Sequence, residues 1–194
     1  MATRIQRLED DMEYQRLVMP LFYTDSGQCK KARELIVEPC PKWRADELNK
    51  LWHSRLPVPP IISMYAFWAY AYDVVYAVAL WSNPSARELN NDWIELRRLA
   101  IAPDAPHNTA SYMIARMIKW FSKNTEHPHA ISYQDTSVHL GTIYKAANWK
   151  VEYISKPMQR DRTKNRVGTN SLYRSNSNGL DVDIAEKIRW GIDI

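Results

Sequence analysis

The chain has 194 residues, 25% charged and 45% apolar, with a formal charge of +4 and an isoelectric point near 9.0. This balance describes a globular protein of about one domain and excludes a chain disordered throughout. Charged or polar residues interrupt every apolar run, including the longest near Ile61 to Trp81, so no membrane-spanning helix is expected. The N-terminal MATRIQRLEDDMEYQ has no apolar signal core, and two cysteines, Cys29 and Cys40, are too few for a disulfide framework, so a reduced, intracellular protein is expected.

In chain order, the apolar run Leu35-Ile36-Val37 reads as a strand, and Lys42 to Leu51 has helical spacing with Leu48, Leu51 and Trp52 on one side. Pro57, Pro59 and Pro60 then force an extended connection, which leaves His53 at a helix end or on a loop. Two β-rich runs, Ile61 to Tyr72 and Val74 to Trp81, flank Asp73 as a hairpin at the centre of a sheet. Trp93 to Ile101 reads as a strand stopped by Pro103 and Pro106. Asn108 and Thr109 are N-cap types for a helix whose Met113, Ile114, Met117, Ile118 and Phe121 form a buried face. Ala130 to Tyr133 is a strand ending in the polar set Gln134-Asp135-Thr136-Ser137. A short helix over Ile143 to Ala147, a strand over Trp149 to Tyr153 and a final edge strand over Ala185 to Trp190 complete the expected elements. Strands alternating with helices predict an α/β domain with a mixed sheet, its ligand site beyond the strand ends where helices begin.

Positive charge is concentrated near the C-terminus, where Lys156, Arg160, Arg162, Lys164, Arg166 and Arg174 face one acid, Asp161. That is a footprint for phosphate-rich partners, and equally the composition of a solvated loop. Eight tryptophans and eleven tyrosines against five glycines supply a core and also suit base stacking.

The helix start at Asn108 to Ser111 offers backbone N–H groups for an anion, although its loop lacks the glycines that ease close approach, and an ordinary capped helix looks the same. Tyr133, Gln134, Asp135 and Thr136 end a buried strand, where side chains project into a cleft. Asp135 is the best base candidate, with a simple N-cap for the next helix as the alternative. His53 and His139 are further candidate bases or ligands. No two histidines stand at a metal-ligand spacing, and no P-loop, G-x-S-x-G elbow or paired-acid motif occurs.

Trp93 to Pro103, followed by a polar turn and a helix, resembles the cofactor-binding strand, loop and helix of the GCN5-related N-acetyltransferase (GNAT) family, and Gly141 to Trp149 looks like that family's late helix. The ordered set Trp52 to Pro57, Leu96 to Leu99, Pro106 to Ser111, Ile131 to Asp135 and Gly141 to Trp149 is similar to the Mom family of bacteriophage DNA-modification proteins, divergent members of the same fold. The resemblance implies a mixed, mainly antiparallel central sheet flanked by helices, in a single domain over 1–194, with the basic segment 156–178 as a DNA-contacting loop or tail. It implies conversion of adenine in duplex DNA to N6-(carbamoylmethyl)adenine, protecting phage DNA from restriction in the cytoplasm of the infected bacterium.

Residue by residue, the family's histidine falls on His53, its strand arginine on Arg98, its loop serine on Ser111 and its aspartate on Asp135. Ser54 stands where many members carry a tyrosine. The resemblance places acetyl-CoA or a related acyl-CoA against Arg98, Leu99 and Ile101 and the helix start Asn108, Thr109, Ala110 and Ser111. Adenine is then extruded toward His53, Asp135 and Tyr144, with Trp52 or Tyr133 stacking on it. Arg55, Lys156, Arg160, Arg162, Lys164 and Arg166 are the expected DNA contacts. A conventional N-acetyltransferase on a small amine or protein, with Tyr144 as general acid, and an inactive DNA-binding protein on the same scaffold are the rival readings.

Overall fold

The computed structural model describes residues 29–54, 56–137, 139–155 and 186–194. Among them one seven-stranded sheet forms, built from β1 (Ile36–Pro39), β2 (Tyr65–Ala71), β3 (Val74–Ser82), β4 (Ile94–Ile101), β5 (His129–Asp135), β6 (Lys150–Ser155) and β7 (Lys187–Asp193) in the order β1-β2-β3-β4-β5-β7-β6. All neighbouring pairs are antiparallel except β4 and β5. The expected mixed, mainly antiparallel sheet flanked by helices is therefore what the chain forms. The last strand is not an edge: β7 pairs β5 on one side and β6 on the other. Its run of alternating apolar residues satisfies a ladder on both sides, whereas β6, exposed along most of its length, takes the edge.

The helices α1 (Lys42–Trp52), α2 (Thr109–Asn124) and α3 (Thr142–Ala146) divide the core. Ala45 and Leu48 of α1 pack on Ala66, Val75, Val78, Leu80 and Ala100 on one face of the sheet. The fully buried Met113, Ile114, Met117 and Phe121 of α2 pack on Phe67, Ala69, Ala79 and Trp81 on the other. Each such side chain contributes about 1.5 to 3 kcal/mol by leaving water, so the three- and four-residue spacing of this stripe suffices to dock the helix.

The hairpin turns at Tyr72 and Asp73, both with positive φ (50° and 62°), the geometry a two-residue connection needs to match strand twist. Its first strand begins at Tyr65 rather than Ile61. Ile61 and Ile62 remain outside the sheet, 89% and 74% exposed, because the proline cluster before them supplies no ladder donors.

Gly141 precedes α3 with φ +70°, and a side chain there would meet Gln134 and, at 2.8 Å, the Trp190 ring. Both the left-handed backbone and the filled space demand glycine. Gly141→Ala is expected to cost about 2 kcal/mol or more, read as a lower midpoint in urea denaturation, with an unchanged midpoint as the contrary result.

Candidate functional site

β4 and β5 run parallel, yet their register covers only Ile94↔Ala130, Glu95↔Ile131 and Leu96↔Ser132. Beyond it β4 continues to Ile101 and β5 to Asp135 with no pairing between them. The sheet thus forks at its middle, with α2 starting above the fork after a short loop. An irregularity in the β3–β4 pairing marks where the fork opens: Leu80 faces Arg98 while Trp81 faces Leu96, so Arg97 is the extra residue of a bulge.

The bulge shifts the alternation of β4. Ile94 and Leu96 belong to the α2-side core, whereas Arg98, opposite Leu80, and Ala100 turn to the α1 side. Leu99 and Ile101 accordingly pack on the α2-side core.

On the α1 side the structure brings His53 and Arg98 together. Arg98 donates to the Arg97 carbonyl at 2.7 Å and to the Val58 carbonyl at 3.4 Å, and its Nε is buried without a partner. Burial, then the Arg97 charge, lowers its pKa to about 10, so the cation persists. His53 follows α1, and its Nδ1 accepts the Leu56 N–H at 3.1 Å. Burial, then the Arg98 charge, lowers its pKa to about 4. The ring is therefore neutral near pH 7, and with Nδ1 engaged as an acceptor its proton sits on Nε2. The loop that carries His53 is held by Asn49, fully buried, whose Nδ2 donates to the Leu56 and Pro57 carbonyls at 3.1 and 3.0 Å.

On the α2 side, the Tyr144 hydroxyl lies 2.9 Å from Ser132 Oγ, which donates to the Leu96 carbonyl at 3.2 Å. With that donation fixed, Tyr144 donates to Ser132. The chain of bonds ties α3 to both strands at the last register pair of the parallel ladder, Leu96↔Ser132, in the crotch of the fork. Tyr144 stacks on Trp190 at 5.5 Å. Burial raises its pKa, offset in part by the Ser132 bond, so the phenol keeps its proton.

Tyr133 alternates with Ser132 and Gln134 and lies exposed on the α1-facing side of β5. Asp135 ends β5, where its Oδ1 accepts Ser137 N–H at 3.0 Å and Ser137 Oγ–H at 2.5 Å. It does not cap α3, whose N-cap is Gly141. Its charge opposes the burial that lowers the His139 pKa, and the His139 ring lies 6.1 Å from Tyr144. His53 with Arg98 and Tyr144 with Ser132 thus flank the fork from opposite faces, with Asp135 near its open end.

At the start of α2, Asn108 holds the N-cap position in the left-handed region (φ 68°), and its side chain makes no cap bond. Asn108 thus takes the expected N-cap position without the capping bond its type could make, and the neighbouring hydroxyls turn the other way: Thr109 Oγ1 donates to the Pro106 carbonyl at 2.7 Å and Ser111 Oγ to the Asn108 carbonyl at 3.2 Å. Hydroxyls turned to carbonyls leave the first-turn N–H groups uncapped by side chains, and no acid stands in that turn. Together with Ala110 these residues present an anion-receptive helix start beside the fork.

Arg55, Lys156, Arg160, Arg162, Lys164 and Arg166 lie outside the described residues. Among the described residues no three His, Cys, Asp or Glu side chains converge to hold a metal ion, and no helix is long and apolar enough to cross a membrane. Sequence reasoning assigned no role to Ser132 or Asn49. A serine inside the apolar run Ala130 to Tyr133 was a visible signal, whereas an asparagine in a polar helix was not.

A family model described as the Mom protein family matches residues 34–186. No curated protein matches the chain. Among solved structures, the IAA acetyltransferase from Bacillus cereus is similar at TM-score 0.55 and 14% identity, over 82% of this chain and 99% of that one. A Bacillus subtilis acetyltransferase in complex with CoA is similar at TM-score 0.54 and 12% identity, over 82% and 99%. A GNAT-family acetyltransferase from Streptococcus pneumoniae is similar at TM-score 0.54 and 9% identity, over 83% and 99%. The fold is that of the GNAT acetyltransferases.

Proposed function

The chain belongs to the Mom protein family, and from that premise we propose that it modifies phage DNA, converting adenine to N6-(carbamoylmethyl)adenine and so shielding it from restriction in the bacterial host. The observation that carries the reading is the family match over residues 34–186 on a sheet forked between His53–Arg98 and Tyr144–Ser132. A conventional acetyltransferase remains the rival, supported by the names of the structural neighbours.

The N6 amino group of a paired adenine is shielded by stacking and pairing, so the base must leave the helix first. The uncapped start of α2 and the open fork fit an acyl-CoA, with Asn108 to Ser111 holding its pyrophosphate and Arg98, Leu99 and Ile101 lining its path. When bound, such a thioester would supply a carbonyl carbon that N6 attacks with release of the CoA thiol, a step that by itself gives an N6-amide. The carbamoylmethyl product joins N6 to a methylene carbon instead and requires, besides the acyl-CoA, a nitrogen donor of the ammonia or amide class and activation of that methylene. The N6 lone pair is delocalised into the ring, so a base must take the proton as the bond forms, and Asp135 carries that role. His53, neutral with its proton on Nε2, donates a hydrogen bond to the extruded base or to a developing oxyanion. Tyr144 retains a proton to give a leaving group. Tyr133 offers a stacking surface, worth about 1 to 3 kcal/mol per base. Arg55 and the basic segment 156–178 neutralise phosphates, which makes binding fall steeply with salt.

Nucleoside mass spectrometry of plasmid DNA from expressing cells tests the reading. The expected result is a deoxyadenosine heavier by one carbamoylmethyl group. An unmodified profile with folded protein present favours acetylation of another amine, or an inactive DNA binder.

A further inference from the structure

Ile61 and Ile62 are among the most exposed large aliphatic side chains of the described residues. They stand at the tip of the loop between α1 and β2, three residues along the chain from Val58, whose carbonyl accepts Arg98. Leu56, Val58 and Met64, each more than two-fifths exposed, continue the apolar surface down its sides. The tip is not loose: Asn49 holds one arm at Leu56 and Pro57, the Met64 N–H donates to the Trp81 carbonyl at 2.8 Å on the other, and Pro57, Pro59 and Pro60 restrict the backbone between. In the sequence no acid stands between Glu47 and Asp73, whereas Lys50, His53 and Arg55 do.

We propose that the Ile61–Ile62 tip is a wedge that enters the base stack of duplex DNA and occupies the gap left when adenine is extruded toward His53. This deepens the proposed function and rests on it. Aliphatic side chains on rigid backbones are what proteins insert between base steps, because they replace lost stacking without needing hydrogen-bond partners. The prolines remove most of the ordering cost in advance. The acid-free flanks let phosphates approach on both sides of the tip, and among the described residues Arg98 at its base donates to carbonyls, those of Arg97 and Val58. A two-residue apolar tip with no acid in its flanking sequence suits a base step better than the broad face that a second copy of the chain requires.

The test uses the full-length chain and a duplex carrying 2-aminopurine, whose fluorescence rises when it leaves the stack. Wild type is expected to raise the signal severalfold, and the double variant Ile61→Ser with Ile62→Ser to give a rise at least fivefold smaller at duplex affinity within twofold. A duplex with an abasic site opposite the probe, already loosened, is expected to respond equally to both proteins, and Ile61→Met with Ile62→Met to restore the response. A wild-type rise from the serine variant overturns the wedge, as does a change of oligomeric state by light scattering with the rise retained, which makes the tip a contact between copies. A wild type that modifies plasmid adenine yet gives no rise overturns the wedge alone. Absence of modified adenine and of duplex binding overturns the DNA reading itself.

Discussion

Tyr144→Phe is expected to lower adenine modification by about 10²- to 10⁴-fold, the usual contribution of a positioned proton donor, while costing only about 1 kcal/mol of stability. The asymmetry follows from the fork. The phenyl ring keeps its stacking on Trp190 and its place beside Trp149, and the buried Ser132 hydroxyl loses one donor but keeps its bond to the Leu96 carbonyl, so no buried group is left without any partner. Only the proton disappears. Ser132→Ala is the complement: the Leu96 carbonyl and the Tyr144 hydroxyl both lose a buried partner, so stability falls by about 1 to 3 kcal/mol and activity by less than in Tyr144→Phe. Steady-state modification of plasmid adenine, read beside urea denaturation of each variant, separates the two. Equal activity of Tyr144→Phe and wild type removes Tyr144 from the chemistry.

Elements governed by local periodicity were readable from the sequence for a physical reason. The stripe Met113, Ile114, Met117, Phe121 is buried because its spacing puts it on one side of α2, and the hairpin turns at Asp73 because two β-rich runs leave it alone between them. The final strand was recognised but misplaced at an edge. Strand order is decided by which ladders the chain can close across long separations, and β7 lies between β5 and β6 through pairings such as Ser132↔Trp190 and Val151↔Trp190 that no local pattern encodes.

The site divides the same way. Asp135 and His53 stood out as candidate bases from residue type and position, whereas Arg98 and Tyr144 were reached through the resemblance, since a residue type does not announce its neighbours. What sequence could not display is that one bulge residue, Arg97, turns Arg98 to the α1 side and into the surroundings of His53, or that Ser132 closes the ladder where it splits. Asn108 does hold the N-cap position its residue type fits, but its left-handed backbone goes with a side chain that makes no cap bond, a detail residue type alone does not carry.

Acidification from pH 7 to pH 4 is expected to remove about 2 kcal/mol of stability through His53 alone. Its pKa is about 4 in the folded protein against an ordinary 6.5, so in that window the unfolded chain binds more protons than the folded one, and stability is full above 6.5 and falls toward 4. The full span corresponds to about 3 kcal/mol, which partial exposure of the ring reduces. His139, lowered in the same direction by burial, adds to the slope, so the informative quantity is a difference between proteins. His53→Asn, which keeps an acceptor for the Leu56 N–H, is expected to flatten the profile of urea-denaturation free energy between pH 6.5 and 4. Arg98→Gln is expected to shift the titration of His53, followed by NMR, part of the way back toward 6.5, since burial is the larger cause and remains. Parallel profiles for wild type and His53→Asn would show that His53 is not held neutral. Neutrality also bears on the chemistry: with Nδ1 engaged and the proton on Nε2, His53 donates without becoming charged. Modification by wild type is then insensitive to pH between about 6 and 8 as far as His53 is concerned, in contrast to an imidazole base with an ordinary pKa.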